Sequence, residues 1–211
     1  MIASWVLPWL DPRLARPVQS GRWVVVDVET AGLNAAHDAL ISIGALAVND
    51  GRIDLADSFE VVLRQASPSE RRNIEVHGIG GSEQLAGEDP RRALEAFRAF
   101  ARDDPLVAYH APFDALVLRR AYRQVLRARF ARPWLDLADV APLAWPGRAK
   151  GPGLDGWLQA FSIPMAQRHR AIVDCLATAQ LLLAVLHAAP RLGASSARRL
   201  LSLSRGERWL G

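Results

Sequence analysis

The strongest constraint on the fold is an apolar, β-branched run at Trp23–Val28. Successive valines favour a β-strand, and a short apolar run of this kind is typical of a strand buried in a sheet. Such a strand needs neighbouring strands at its edges and apolar cover on its faces. We therefore expect this segment to lie inside a sheet.

The rest of the chain supplies that surrounding structure. Two strands are predicted next, at Ala39–Val48 and Ile53–Leu63, and the Asp50-Gly51 turn between them favours an antiparallel hairpin. Helices are then predicted at Pro90–Phe100, Phe113–Leu126, Leu154–Phe161, Ala171–Leu186 and near Ser195–Leu203, with short strands at Pro105–Tyr109 and Leu135–Leu137. This order predicts an α/β domain with helices on both faces of a mixed sheet.

Length and composition set broad limits. The 211 residues suit one domain over 22–190, with an irregular arm at 1–21 and a helical extension at 191–211. The net charge of +4 favours a polyanionic partner such as nucleic acid, although an arginine-biased genome would give the same charge. The single cysteine, Cys175, excludes an internal disulfide and suits a reducing cytoplasm. No apolar run approaches the length that spans a membrane, so no membrane partner is expected.

Two acids, Asp27 and Glu29, close the first predicted strand. Residues two apart on a strand project from the same face, so these carboxylates are expected to lie together. Their repulsion is relieved by a cation or a shared proton, and Mg²⁺ or Mn²⁺ binds carboxylate oxygens readily. A metal site is one interpretation, and a polar strand end that opens a turn is the other.

A third acid, Asp114, ends the segment His-Ala-Pro-Phe-Asp (110–114), which follows the strand predicted at 105–109. It falls in the first turn of the next helix, where the helix dipole favours negative charge. Alone, this pattern indicates a good helix start. Ligands in open α/β sheets also gather near strand ends, so a binding role stays open.

His169 and Asp174 lie close to the start of the long helix. Residues five apart on a helix differ by about 140° in direction, so the two would not share a face if both were helical. We therefore expect His169 in the preceding loop and Asp174 in the first turns. A loop histidine can turn toward a metal-bound water, but the segment alone is more typical of a surface histidine between Arg168 and Arg170.

Together and in this order, the segments resemble the motifs of the DEDDh 3′→5′ exonucleases, a family that includes the epsilon proofreading subunit of bacterial DNA polymerase III. Residues 27–34 resemble the first motif, 110–114 the second, and His169 with Asp174 the histidine form of the third. Val76–Ile79 is similar to a short segment usual between the first two. The resemblance extends over about Trp23 to Leu186.

The resemblance implies a ribonuclease H-like fold with a central five-stranded mixed sheet. It also implies that Asp27, Glu29, Asp114 and Asp174 hold two divalent cations, Mg²⁺ or Mn²⁺, whose charge balances the four carboxylates. Such ions activate the attacking water and stabilise the leaving 3′ oxygen. His169 would be the general base, a role that suits its ordinary pKa of about 6.5.

The same resemblance implies contacts with the terminal nucleotide. The residues concerned are Thr30, Ala31, Gly32, Leu33, His110 and Phe113. Leu33 would pack on the terminal base, a contact that tolerates any base, and ordinary core packing is the alternative. A basic track on the helix after Asp114, formed by Arg119, Arg123 and Arg127, would follow the strand, and a solvated helix face is the alternative.

The sequence departs from the family pattern in four places. His110 stands where Asn is common, Ala31 where Thr is common, Ser42 where an acid is frequent, and Pro112 opens the helix before Asp114. None of these changes removes an implied metal ligand or the implied base. They leave the details of substrate contact open.

Three functional hypotheses follow. The first is hydrolysis of single-stranded DNA from its 3′ end, with release of nucleoside 5′-monophosphates. The second keeps this chemistry for RNA or short oligoribonucleotides, since contacts with the 2′-hydroxyl separate the two substrates. The third is a non-catalytic subunit of a replication or repair complex. A polymerase or another replication or repair protein is the protein partner that the resemblance suggests.

Overall fold

The computed structural model of the chain describes residues 11–164 and 170–204. Within them, five strands form one mixed sheet in the order β3-β2-β1-β4-β5. The strands are β1 (Arg22–Thr30), β2 (Leu40–Asn49), β3 (Arg52–Val62), β4 (Leu106–Ala108) and β5 (Trp134–Asp136). This sheet confirms the predicted α/β class and the central position of the first strand.

Strand pairing fixes where the site can form. β1 runs antiparallel to β2 and β2 to β3, and the predicted turn at Asp50-Gly51 has positive φ at both residues. β1, β4 and β5 are parallel. The carboxyl ends of these three strands therefore meet at one edge of the sheet, and the segments that follow β4 and β5 begin there.

Eight α-helices accompany the sheet in the described ranges. They are α1 (Arg71–His77), α2 (Gly81–Ala86), α3 (Pro90–Ala101), α4 (Ala111–Ala121), α5 (Leu137–Ala144), α6 (Gly153–Phe161), α7 (Ala171–Ala188) and α8 (Ala197–Leu201). The helix predicted at 113–126 is divided, because α4 passes at Tyr122 into a π-helical turn that ends at Leu126. α1, α2 and α5 were not predicted.

The two faces of β1 enter different cores. Trp23 and Val25 pack into the core that contains buried residues of α5 to α8. Val24, Val26 and Val28 pack into the core that contains buried residues of α3 and α4. Asp27 and Glu29 continue the odd-numbered series, so they project on the side of α7.

Helix α7 is the main cover of that side. With the turn that follows it, Ala171–Leu192 is long and apolar enough by composition to cross a membrane, which corrects the expectation that the chain holds no such run. However, 61% of its most apolar 18-residue stretch is buried inside the protein. The helix also contacts β1, β2 and β3. We therefore interpret it as the core helix of this fold.

The segments that flank the principal domain contact each other. The Val18 amide donates to the Ser195 carbonyl at 3.0 Å, and the Ala197 amide donates to the Arg16 carbonyl at 3.1 Å. The described part of the N-terminal arm is thereby joined to the start of the C-terminal extension. The domain limits at 21/22 and 190/191 stay a prediction.

Arg22 fastens the other end of β1, away from the acids. Its side chain is 9% exposed and forms ion pairs of 2.8 Å with Asp57 and 2.9 Å with Asp104. The same guanidinium donates to the Phe100 carbonyl at 3.0 Å and lies over the Phe100 ring. The buried guanidinium of Arg22 thus connects β1 with β3 and with the link between α3 and β4.

We predict that Arg22→Ala lowers the free energy of unfolding by about 3 kcal/mol, because it leaves two carboxylates beside each other without their cation. Urea denaturation of wild type and variant measures this. Arg71→Ala is the control: its ion pair with Glu75 is exposed, so the loss should stay below about 0.5 kcal/mol. Equal losses in the two variants would contradict the role given to Arg22.

Candidate active site

Three acidic side chains converge at the carboxyl end of β1. Asp27, Glu29 and Asp174 each offer one carboxylate oxygen, and these oxygens all lie within 4.8 Å of one another. Asp174 is 6% exposed and lies in the first turn of α7, as the sequence predicts. Carboxylate oxygens at this spacing form a donor set that Mg²⁺ and Mn²⁺ accept.

Gly44 explains how α7 comes close enough. In the β1–β2 pairing, Gly44 lies directly opposite Asp27. A Cβ added there would lie 2.5 Å from the carbonyl carbon of Ala171 and 2.6 Å from the Ile172 nitrogen. The first turn of α7 therefore rests on the backbone of β2, which brings Asp174 to the strand that carries Asp27.

Asp114 adjoins this cluster from the other side. It lies in the first turn of α4, as predicted, and is 5% exposed. Its Oδ1 accepts a hydrogen bond of 3.1 Å from the backbone amide of Val28, the residue between Asp27 and Glu29. The structure thus brings together all four acids that the sequence singles out.

The electrostatics of Asp114 reflect this burial. Burial raises the pKa of its carboxyl group well above the ordinary value, and the nearby carboxylates of Asp136 and Glu29 act in the same direction. Negative charge at this position is costly in the protein alone. A cation beside it would remove that cost.

Asp136 is a buried acid that sequence reasoning missed. It lies at the end of β5, is 4% exposed and accepts hydrogen bonds of 2.9 Å from the amides of His110 and Ala138. The sequence marks it weakly, as one acid between Leu135 and Leu137 at a strand end. Because the ends of parallel strands meet at one edge, its position at a strand end could have indicated it.

The loop after β1 is held from several sides. The Thr30 hydroxyl donates to the Gly32 carbonyl at 2.5 Å, and the Ala31 amide donates to the Ala39 carbonyl at 2.9 Å. The Asn73 side chain of α1 donates to the Ala31 carbonyl. Leu33 is 95% exposed, which rules out core packing as its role.

His110 and Phe113 lie at the start of α4. His110 is exposed and adopts the left-handed conformation, with φ 65°, which costs a non-glycine residue about 1 kcal/mol. Its hydrogen bond to Asp136 offsets that cost. Phe113 is half-buried and packs against the core on the α3/α4 face. His169 lies outside the described residues, so its predicted position and role stay predictions.

The segment Val76–Ile79 has a structural basis. His77 is 2% exposed, its Nδ1 accepts from the Ile79 amide at 3.0 Å, and burial lowers its pKa. Gln84 donates to Ser69 Oγ at 3.0 Å, and that hydroxyl lies 3.3 Å from the Nε2 of His77. This network fixes the chain between β3 and α3, including α1, which holds the loop after β1.

Comparison with known proteins gives the family. The family model described as "Exonuclease" (RNase_T) matches residues 24–182. The chain belongs to this exonuclease family. The match runs from β1 into α7 and therefore includes the three clustered acids and Asp114, and it confirms the family that the sequence motifs indicate.

Curated relatives of this chain include PolC-type DNA polymerases III. That of Bacillus subtilis (strain 168) is 35% identical over 179 residues, which is 84% of this chain and 12% of the relative. That of Listeria innocua is 32% identical over 165 residues, which is 78% of this chain and 11% of the relative. The chain thus spans about an eighth of the length of these relatives.

Solved structures share the fold of this chain. Escherichia coli exonuclease I in complex with a dT13 oligonucleotide has a TM-score of 0.69 and 21% identity, over 82% of this chain and 43% of that chain. Exonuclease X in complex with 5′-overhanging duplex DNA has a TM-score of 0.66 and 20% identity, over 86% of this chain and 98% of that chain. At these identities the likeness concerns the fold, which is ribonuclease H-like as predicted.

We predict that Gly44→Ala raises the Mn²⁺ concentration needed for half-saturation, because the added methyl displaces α7 and with it Asp174. Overpacking should also cost about 1–3 kcal/mol of stability. Calorimetric Mn²⁺ titration and urea denaturation measure the two effects. Gly80→Ala is the matched control, since nothing lies within 4 Å of its added Cβ. An unchanged Mn²⁺ affinity in Gly44→Ala would contradict the positioning of α7 by this glycine.

A second prediction concerns Asp114→Asn in metal-free protein. A carboxyl group whose pKa is raised in the folded state binds more protons there than when unfolded. Wild type should therefore lose stability as the pH rises above the ordinary value of 3.8 and through the raised pKa. Asn keeps the oxygen that accepts from the Val28 amide but carries no charge. The melting temperature of the variant should therefore exceed that of wild type by a margin that grows as the pH rises.

Calorimetric melting in EDTA between about pH 4 and pH 8 measures this difference. Glu95→Gln, a change at an acid of α3 whose ion pair with Arg91 is exposed, should show almost no such trend. Saturating Mn²⁺ should reverse the order, since wild type gains a bound cation that Asp114→Asn binds poorly. If the difference in melting temperature between variant and wild type shrinks as the pH rises, the ionised Asp114 carboxylate does not destabilise the metal-free protein.

Proposed function

We propose that this chain is a metal-dependent 3′→5′ exonuclease that hydrolyses single-stranded DNA and releases nucleoside 5′-monophosphates. The observation that carries the proposal is the cluster of Asp27, Glu29 and Asp174, with oxygens within 4.8 Å of one another, inside an exonuclease-family domain. Like charges held this close are costly unless they bind cations.

The donor set fits divalent cations. Asp27, Glu29, Asp174 and Asp114 offer only carboxylate oxygens, which suit Mg²⁺ or Mn²⁺. Their four negative charges would be balanced by two such ions. When bound, divalent cations favour formation of a hydroxide nucleophile and stabilise negative charge on the leaving 3′ oxygen.

The loop after β1 suits a terminal nucleotide. Leu33 exposes an apolar side chain to solvent. Hydrogen bonds donated by the Thr30 hydroxyl, the Ala31 amide and the Asn73 side chain hold the loop's backbone. An apolar side chain on a fixed loop can pack on any base, so this contact would bind the nucleotide without sequence specificity. Gly32, His110 and Phe113 complete the proposed nucleotide contacts.

His169 is the proposed general base. It immediately precedes Arg170, whose carbonyl accepts a hydrogen bond of 2.9 Å from the Asp174 amide at the start of α7. A histidine in the segment that leads to a metal ligand can take a proton from the nucleophile near neutral pH. Its role rests on the sequence motif.

The choice of DNA rests on the relatives. Exonuclease I and exonuclease X were solved with DNA, and the curated relatives are DNA polymerases. A polymerase or another replication or repair protein is therefore the proposed partner. Arg123 and Arg127 are exposed beyond α4, where they are available to phosphate groups whether the strand is DNA or RNA.

We predict that the protein releases mononucleotides from a 3′-labelled single strand with Mg²⁺ or Mn²⁺, and that EDTA abolishes the reaction. Asp27→Ala should lower kcat by at least about 100-fold, through loss of a metal ligand. His169→Ala should lower kcat about as strongly while Mn²⁺ affinity stays near that of wild type. Matched DNA and RNA strands, with free and blocked 3′ ends, distinguish the substrates.

Each hypothesis has its own outcome in this assay. Faster hydrolysis of RNA than of DNA would show that the protein is an RNA exonuclease. Cleavage of strands with blocked 3′ ends would reject the polarity. Absence of Mn²⁺ binding in calorimetry, together with no hydrolysis, would favour a non-catalytic subunit, and activity that survives Asp27→Ala would reject the metal mechanism.

A further inference from the structure

Buried hydrogen bonds connect the C-terminal extension with the acidic cluster. The first is at Ser204, just beyond α8, which is 2% exposed. Its Oγ accepts a hydrogen bond of 3.0 Å from the backbone amide of Asp136. A residue 68 positions away along the chain thus fixes the end of β5.

The second connection is the carboxylate of Asp136, which holds two helix starts. Its Oδ1 accepts from the Ala138 amide in the first turn of α5 and from the His110 amide before α4. Since each amide lacks a partner within its own helix, a shift of Asp136 would release both helix starts.

The third connection leads to β1. His110 adopts a left-handed conformation that favours glycine, and its hydrogen bond to Asp136 holds it there. The next turn carries Asp114, which accepts from the Val28 amide. The position of the first turn of α4 therefore determines the position of the Asp114 carboxylate relative to Asp27 and Glu29.

We propose that Ser204 is a positioning residue for Asp114, so that the C-terminal extension forms part of the metal site's support. This inference rests on the proposed function only in treating Asp114 as a metal ligand. Outer partners of metal ligands set the orientation of the ligands and hence metal affinity. Ser204 acts in that way through Asp136 and has no contact with the substrate in this account.

Ser204→Ala tests the proposal, with Mn²⁺ affinity measured by calorimetry without DNA. We expect the Mn²⁺ concentration for half-saturation to rise several-fold, up to about the 10-fold seen for partners that contact a ligand directly. At saturating Mn²⁺, KM for the DNA strand should stay near that of wild type. Ser202→Ala is the matched control, because the Ser202 hydroxyl donates to the Arg199 carbonyl on the surface of the same segment.

A second pair of variants separates the hydroxyl from packing. Ser204→Thr and Ser204→Val have side chains of similar size, but only Thr keeps an oxygen that accepts from Asp136. We expect Thr to bind Mn²⁺ like wild type and Val to resemble Ala. The pair compares equal volumes, so it gives a result even if Ser204→Ala is too unstable to titrate.

The proposal is overturned if Ser204→Ala melts at a lower temperature but binds Mn²⁺ like Ser202→Ala, or if Thr and Val bind Mn²⁺ equally. Either outcome would give Ser204 a purely structural role. The proposed function fails differently: wild type would bind Mn²⁺ and show no 3′→5′ hydrolysis. In that case the Mn²⁺ titrations still decide the role of Ser204.

Discussion

The repulsion among carboxylates at the end of β1 is the constraint around which the domain is arranged. Oxygens of Asp27, Glu29 and Asp174 lie within 4.8 Å of one another, and Asp114 is buried beside them with a raised pKa. Two acids lie in the first turns of helices, where the dipole favours negative charge. The starts of α4 and α7 and the end of β1 thus bring together carboxylates whose mutual repulsion opposes folding in the absence of a cation.

Much of this arrangement follows from local sequence. The β-branched run predicts the central strand, and Asp50-Gly51 predicts the hairpin of β2 and β3. A spacing of two places Asp27 and Glu29 on one face, and Asp114 falls in a helix's first turn as the sequence indicates. These features depend on periodicity and turn chemistry, which nearby residues determine.

Other features depend on contacts between distant segments and leave little trace in sequence. α1 and α2 are short, and their stability comes from the buried network around His77 and Gln84. Gly44 looks like an ordinary strand residue until α7 is seen to rest on it. Asp136 lies between two leucines, and its role follows only once β5 is placed beside β4. Tertiary packing decides each of these.

The central claim is that the four acids together bind a pair of divalent cations. Anomalous diffraction from crystals soaked in Mn²⁺ tests it most directly, because it locates each ion independently of activity. The account predicts two peaks about 4 Å apart, in coordination contact with Asp27, Glu29, Asp114 and Asp174. Peaks elsewhere, or no peak beside these carboxylates at saturating Mn²⁺, would contradict it.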